Sequence, residues 1–288
     1  MNVVCELKSG ALRCDVVPAV GGAISSLWFH DTPVLRASHG QALGSPREAA
    51  CFALIPYSNR VGNGHLDWQN ARHLLRSTPG DFPHAIHGVG WQNPWHVTHK
   101  DSCTLEMEYR HVGDDSWPFP FVGRQRLQLT ERSLLLELTY LNTHPTSVPV
   151  GLGWHPYFVK RAHSRISFQA QGRWDNSPDK LPTVRAPCDG IHASTAGMAV
   201  DNCFDGWTGT ASIEDEFIQT TVRACTSYLV AYTRVDTDFF ALEPVTHANN
   251  AIQLSSMLQR DVETLGLRVL PPGQTQTFQA TLEINRKS

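Results

Sequence analysis

Residues 127–140 read LQLTERSLLLELTY, and this stretch decides the fold class. Apolar side chains take every second position on both sides of a polar tetrapeptide: Leu127, Leu129, Leu134, Leu136, Leu138 and Tyr140. This alternation is typical of strands with one buried face. The tetrapeptide Thr130-Glu131-Arg132-Ser133 between them has the composition of a hairpin loop. The stretch therefore predicts an antiparallel β-hairpin.

The same alternation recurs on both sides of this hairpin. Leu105, Met107 and Tyr109 alternate with charged residues, and an apolar set of the same period follows the turn Pro271-Pro272-Gly273: Phe278, Ala280, Leu282 and Ile284. The best helical pattern is short, around residues 251–259, and no repeat or linker divides the chain. We expect an all-β fold: one large antiparallel β-sandwich with few short helices, in which residues 1–288 form a single domain.

Composition excludes several classes of function. The chain has 288 residues, 24 Lys plus Arg and 27 Asp plus Glu, which gives a net charge of −3. A near-neutral balance offers no basic surface for nucleic acid or for an anionic membrane, so neither partner is expected. The N-terminal residues 1–18 contain four charged side chains and no apolar segment of signal-peptide type. The seven cysteines are scattered and form no Cys-x-x-Cys pair. Reduced thiols and a cytoplasmic location are the expectation.

Two segments place histidine beside glycine and tryptophan: PHAIHGVGW at residues 83–91 and GLGWHPYF at residues 151–158. An imidazole with a pKa of about 6.5 can give or take a proton near neutrality. Taken alone, each histidine is better explained by a structural hydrogen bond. His84, His87 and His155 would supply three metal ligands, but residues three apart on a strand face opposite sides and no carboxylate motif accompanies them. We expect no metal site.

Three other segments carry candidate polar groups. Asn59 and Arg60 precede a glycine-containing turn and offer amide and guanidinium donors, although turn chemistry with a surface arginine explains this segment better when it is taken alone. Glu243 ends an apolar run, and we expect its carboxylate at a strand end, where burial raises the pKa of a general base. Backbone N–H groups are the alternative partners of this carboxylate. Asp201 and Asp205 have the composition of turn residues.

Taken in order, five motifs resemble the aldose 1-epimerase (galactose mutarotase) family: Asn59-Arg60, His87-Gly88, GWHPYF at 153–158, DNCF at 201–204 and LEP at 242–244. The segments VGGAISSL at 20–27 and LPPG at 270–273 resemble that family's opening strands and closing turn, so the resemblance spans nearly the whole chain. It implies a supersandwich of β-strands with a sugar cleft across one sheet. It also implies interconversion of the α and β anomers of a free aldose, a small-molecule substrate, with no cofactor.

The resemblance also implies roles for individual residues. Opening a pyranose ring removes the proton of the C1 hydroxyl and delivers a proton to the ring oxygen, so one base and one acid suffice. By resemblance Glu243 is the base, His155 is the acid, and His87 assists by hydrogen bonding near the ring oxygen. Arg60 and Asp201 match positions that hold sugar hydroxyls, and Asn59 is a further binding candidate. Four aromatic residues are candidates to cover a sugar face, although core packing explains most of them: Trp91, Trp154, Tyr157 and Phe204.

Three alternatives remain open at this point. Hexose-6-phosphate mutarotases carry an arginine shortly after His-Gly, whereas Val89-Gly90-Trp91-Gln92-Asn93 follows here. A free aldose is therefore favoured, with Arg124 and Arg126 as cations that could still reach a phosphate. A glycoside hydrolase would pair Glu243 with Asp201 or Asp205. A non-catalytic carbohydrate-binding protein would need neither an acid nor a base.

Overall fold

The computed structural model describes residues 1–287, and strands dominate it. In chain order the strands are β1 (Cys5–Ser9), β2 (Leu12–Val17), β3 (Ala23–Phe29), β4 (Thr32–Pro33), β5 (Ala53–Leu54), β6 (Arg60–Val61), β7 (His65–Trp68), β8 (Ala71–Leu74), β9 (Ala85–Ile86), β10 (His96–Lys100), β11 (Thr104–His111), β12 (Phe121–Leu129), β13 (Ser133–Asn142), β14 (Val148–Val150), β15 (Gly153–Trp154), β16 (Tyr157–Val159), β17 (Arg165–Phe168), β18 (Gly172–Asn176), β19 (Pro182–Pro187), β20 (Ile191–Ser194), β21 (Val200–Asp205), β22 (Thr210–Glu214), β23 (Ile218–Ala224), β24 (Tyr228–Thr233), β25 (Phe239–Val245), β26 (Arg268–Leu270) and β27 (Thr275–Arg286). Within these residues there is one α-helix, α1 (Ala251–Leu258), and the short 3₁₀ turns are Gly40–Ala42, Pro46–Glu48, Gly62–Gly64, Gly90–Gln92 and Val262–Leu265.

The predicted hairpin is confirmed. Strands β12 and β13 pair from Phe121 opposite Asn142 to Leu129 opposite Leu134, and the Thr130 N–H donates to the Ser133 carbonyl across the turn. β27 pairs with the other edge of β13, so the alternating apolar side chains of both strands share one face. The predicted short helix is also present, over Ala251–Leu258.

Two large sheets organise the strands. One has nine strands in the order β10-β11-β12-β13-β27-β23-β22-β17-β20, and the other has eight, β19-β18-β21-β24-β25-β15-β5 with β16 also paired to β25. The first four strands form a separate sheet, β1-β2-β3-β4, and three strand pairs complete the set, β14-β26, β6-β9 and β7-β8. Every pairing between these strands is antiparallel, which follows from the short hairpin connections.

The two large sheets pack through their apolar faces. Phe168 of β17 meets Phe204 of β21 edge to face, with ring centroids 5.1 Å apart. Leu134, Leu136 and Leu138 of β13 are almost completely buried in the same continuous core cluster. Burial of this kind contributes about 25 cal/mol per Å² of apolar surface and dominates folding. The all-β sandwich predicted from the alternation is confirmed.

Strand register in the eight-stranded sheet separates a core face from an outer face. Phe204 lies opposite Leu229, which lies opposite Pro244, and this row faces the nine-stranded sheet. The adjacent row contains Val230 opposite Glu243. Because neighbouring positions on a strand point to opposite faces, Glu243 points away from the nine-stranded sheet. The outer face of the smaller sheet therefore carries the first candidate site residue.

Three further features concern thiols, membrane-spanning helices and metal ligands. All seven cysteines have free thiols, and four of them are buried. No helix within residues 1–287 combines the length and apolar character needed to cross a membrane. No group of three His, Cys, Asp or Glu side chains in these residues is arranged to hold a metal ion.

Candidate active site

All six residues predicted for the site line one cavity of about 450 Å³ on the outer face of the eight-stranded sheet: Asn59, Arg60, His87, His155, Asp201 and Glu243. Cavities of this size are typical of small-molecule sites. They come from five separate places in the chain. The fold therefore brings together motifs that the sequence only places in order.

His155 and Glu243 face each other inside the cavity. Gly153 pairs with Val245 and Tyr157 pairs with Ala241, so the antiparallel register puts position 155 opposite position 243. His155 Nε2 lies 3.2 Å from Glu243 Oε1, with both side chains almost completely buried. The other carboxylate oxygen, Oε2, and His155 Nδ1 have no hydrogen-bond partner within residues 1–287. One buried hydrogen-bonding atom of each residue is thus left without a partner in the protein.

His87 is held in one tautomer by the neighbouring loop. The backbone N–H of Asn59 donates to His87 Nδ1 at 3.1 Å, and the backbone N–H of His87 donates to the Asn59 carbonyl at 2.9 Å. Because Nδ1 accepts, the ring proton of a neutral imidazole sits on Nε2. The ring centroids of His87 and His155 are 5.1 Å apart and nearly perpendicular. His87 therefore presents a donor beside His155.

Backbone geometry makes Gly88 necessary behind His87. Gly88 has a φ of +70°, and a Cβ there would lie 2.1 Å from the Ile55 carbonyl oxygen. Only glycine combines this conformation with so close an approach. The His-Gly motif thus reflects packing of the loop against Ile55.

Aromatic rings pack against the two histidines. Phe52 is buried, and its ring centroid lies 4.8 Å from that of His155 and 5.9 Å from that of His87. The backbone N–H of His155 also donates to the Phe52 carbonyl. Tyr157 packs against the side of His155 with ring centroids 4.4 Å apart. These contacts fix both imidazoles and exclude water from one side.

Burial shifts the pKa values of the three central groups in opposite directions. Burial raises the pKa of Glu243, the nearby charge of Asp201 raises it further, and Arg60 partly offsets both. Burial lowers the pKa of His155, and Arg36 lowers it further. Burial and then His155 lower the pKa of His87 well below its usual value. His87 is consequently a neutral hydrogen-bond donor at physiological pH.

Comparison with known proteins identifies the family. The family profile for aldose 1-epimerase matches residues 4–272. The chain belongs to the aldose 1-epimerase family. It is 30% identical to an uncharacterized Escherichia coli K12 protein, YphB, over 98% of both chains. The fold matches a crystal structure from the same organism, described provisionally as an aldose 1-epimerase, with a TM-score of 0.90, 27% identity and complete coverage of both chains. It also matches a galactose 1-epimerase from Lactobacillus acidophilus, with a TM-score of 0.77, 13% identity and 99% and 95% coverage.

Three local expectations about this aldose 1-epimerase family member were wrong. Glu243 lies inside β25, two residues before its end, and Asp201 and Asp205 lie in β21 rather than in turns. Asp205 is engaged by the Arg185 guanidinium at 2.6 Å and 2.7 Å, and it does not line the cavity. For the two aspartates the physical reason is that pairing of β21 with β24, Asp201 opposite Tyr232 and Asp205 opposite Tyr228, overrides the turn propensity of Asp.

Other candidates from the sequence lie elsewhere. Arg124 and Arg126 belong to β12 of the other sheet, where they pair with Glu108 and Glu106. Tyr157 lines the cavity, whereas three of the aromatic candidates are buried in the core: Trp91, Trp154 and Phe204. His84 Nδ1 accepts from the Asn63 N–H, which is the structural role expected of a histidine taken alone.

Sequence reasoning missed several residues that line the cavity: Arg36, Arg47, Asp81, Lys180, Tyr232 and Arg234. Most lie in loops outside any recognisable motif. Tyr232 is placed by register, because it lies between Asp201 of β21 and Ala241 of β25. These residues can be identified only from the three-dimensional arrangement of the strands and loops.

Proposed function

We propose that this protein is an aldose 1-epimerase, an isomerase that interconverts the α and β anomers of a free aldose without a cofactor. The observation that carries the proposal is the 3.2 Å contact between buried His155 Nε2 and Glu243 Oε1 in the cavity. Glu243 is the base for the C1 hydroxyl, and His155 is the acid for the ring oxygen. Family membership supports this reaction class.

The pKa of Glu243 is raised and that of His155 is lowered. These opposite shifts are consistent with a pair that holds one proton between the two residues. One proton distributed over Glu243 and His155 leaves the pair with no net charge, and burial favours that state over either charged one. The proton can sit on His155, giving a carboxylate and an imidazolium, or on Glu243, giving two neutral groups. The pair therefore has two forms of equal net charge.

The charged form is the state of the pair before ring opening, and the neutral form is its state afterwards. Glu243 carboxylate takes the C1 hydroxyl proton while His155 imidazolium gives its proton to the ring oxygen. The C1–O5 bond breaks and the C1 carbonyl forms. The pair is then neutral acid and neutral imidazole. Rotation about C1–C2 presents the other carbonyl face, and reversal of both transfers closes the ring as the other anomer and restores the pair.

The remaining predicted residues hold the sugar. The Nε2–H of His87 donates near the ring oxygen, where negative charge develops before protonation. Arg60 and Asp201 hold ring hydroxyls as donor and acceptor. Asn59 acts mainly through its backbone, which fixes the tautomer of His87, and its amide lies in the same cavity wall.

The geometry favours this reaction over glycoside hydrolysis. A hydrolase needs two carboxyl groups about 5 Å or about 6.5 to 9.5 Å apart. Asp201 and Glu243 lie two strands and two residues apart in register, so they do not face each other. The group that faces Glu243 is His155. A buried acid and base in contact also argue against a purely binding role.

Two further points belong to the proposal. One continuous hydrophobic cluster supports a single domain over residues 1–288. Free thiols at all seven cysteines are compatible with the proposed cytoplasmic location.

Polarimetry tests the activity. Freshly dissolved α-D-galactose and α-D-glucose should reach their equilibrium rotation faster with the protein than in buffer. Equilibration at the buffer rate for every common aldose, free or 6-phosphorylated, would refute the proposed function.

A further inference from the structure

The cavity is positively charged although the chain as a whole carries −3. Five cations line it, Arg36, Arg47, Arg60, Lys180 and Arg234, and the last of these is paired with Asp236 outside the lining. The carboxylates in the lining are Asp81, Asp201 and Glu243, and the last of these lies 3.2 Å from His155, with which it carries no net charge under the proposed function. A recessed site lined by excess charge of one sign concentrates ligands of the other sign.

Arg36 is a fixed cation, and the nearby carboxylates of Asp238 and Glu48 are not within ion-pair distance of it. Its Nε donates to the Ala49 carbonyl at 2.7 Å, and its Nη2 donates to the Arg47 carbonyl. Its Cζ lies 3.7 Å from the ring centroid of Tyr157 and 4.8 Å from that of Phe239. A guanidinium has five N–H groups, so three remain without an acceptor, and no carboxylate of residues 1–287 forms an ion pair with it. Arg36 is thus held ready for an anion.

Arg47 adds to this excess. Arg47 and Arg60 share a single carboxylate, that of Asp81. Arg47 also lies over the ring of Trp91, with its Cζ 5.1 Å from the ring centroid. Two guanidiniums on one carboxylate leave one positive charge unbalanced.

The position of Arg36 relative to the proton-transfer pair identifies the part of the sugar it meets. Arg36 stacks on Tyr157, and Tyr157 packs against His155. His155 protonates the ring oxygen in the proposed reaction. That oxygen is bonded to C1 and C5, and Glu243 occupies the C1 side. Because Glu243 is assigned to C1, we place Arg36 at the C5 end of the ring, from which C6 projects.

We propose that the substrate is a hexose whose C6 carries an acidic group, a carboxylate or a phosphate, bound by Arg36 together with Arg47. This rests on the proposed function, because it uses the positions of the acid and the base. The planar guanidinium pairs well with both oxyanions. The arginines proposed for this role are residues 36 and 47. Hexose-6-phosphate mutarotases instead carry an arginine shortly after His-Gly.

Exchange NMR of the anomeric protons at equilibrium tests this directly. Three sugars differ only at C6: D-glucose, D-glucuronate and D-glucose 6-phosphate, and D-galactose with D-galacturonate repeats the comparison. The kcat/KM of at least one acidic hexose should exceed that of its neutral parent by about 10-fold or more. This advantage should shrink as salt rises to about 0.5 M, while the neutral sugar is unaffected. The preferred C6 group decides between carboxylate and phosphate.

Variants separate recognition from folding. Arg36→Met and Arg47→Met should each lower the ratio of acidic to neutral kcat/KM by about 10- to 100-fold. Arg13→Met is the matched control, because Arg13 also lies over an aromatic ring, that of Trp28, but does not line the cavity. It should leave the ratio unchanged.

The outcomes distinguish the two proposals. Equal kcat/KM for neutral and acidic hexoses, or a loss of equal size for both in Arg36→Met, would overturn the acidic-substrate inference and leave the proposed function intact. Absence of anomer exchange with every sugar would refute the proposed function itself.

Discussion

His155 Nε2 lies 3.2 Å from Glu243 Oε1, and the register of β25 with β15 and β16 places the two residues opposite each other. Neither residue is in contact with bulk water to a significant extent. The sheet therefore holds the two residues that we propose as acid and base aligned with each other and shielded from water.

Glu243→Gln and His155→Asn should each lower kcat by at least about 100-fold, because each removes one of the two proton transfers. Both replacements retain polar groups of similar shape. The double variant should be little slower than either single one, since the residues act as a unit. Polarimetry gives the rates and circular dichroism checks the fold. Near-wild-type rates in either single variant would remove that residue from the mechanism.

The ordinary pKa of histidine is about 6.5. The profile of kcat/KM against pH should be flat on both sides of that pH. Burial lowers the pKa of His155 and raises that of Glu243, so the pair gains a second proton only in acid and loses its single proton only in alkali. The rate should fall beyond both limits. An inflection near pH 6.5 would contradict the shared-proton state.

His87→Gln should retain more activity than His87→Asn. The glutamine amide nitrogen can replace the Nε2 donor, whereas asparagine replaces only the Nδ1 acceptor that receives the Asn59 N–H. Loss of a donor at the ring oxygen should cost about 100-fold in kcat. Steady-state kinetics on the two variants make the comparison, and equal losses would show that His87 has a packing role only.

Gly88→Ala should destabilise the protein more than Gly197→Ala. Both glycines have a φ of +70°, but a Cβ at residue 88 would lie 2.1 Å from the Ile55 oxygen while nothing lies within 4 Å at residue 197. The left-handed conformation alone costs about 1 to 2 kcal/mol in each. Urea denaturation measures the difference. Activity should fall only in Gly88→Ala, because the clash displaces His87, and equal effects at both sites would disprove this.

The sequence predicted the large features of the fold because they depend on local patterns. The leucines of β13 alternate over its whole length, and the burial of one face of a sheet requires that period. The five ordered motifs also predicted which residues share the cavity. Their order carries that information, since no single motif is specific.

The rest depends on pairing that no local pattern encodes. Pro244 suggests the end of a strand, yet β25 continues to Val245, which lies opposite Gly153 of the short strand β15. Asp201 reaches the cavity through its pairing with Tyr232. Arg36 lies in an irregular segment and Arg47 in the 3₁₀ turn Pro46–Glu48, and neither belongs to a motif, so the positive charge of the cavity became visible only when loops and sheet were assembled.

The most direct test of the central claim is exchange NMR between the α and β anomeric protons, measured with wild-type protein and with Glu243→Gln at equal concentration. Wild-type protein should accelerate exchange of at least one aldose well above the buffer rate, and Glu243→Gln should return it close to that rate. Exchange at the buffer rate with wild type, or equal acceleration by both proteins, would contradict the assignment of this site.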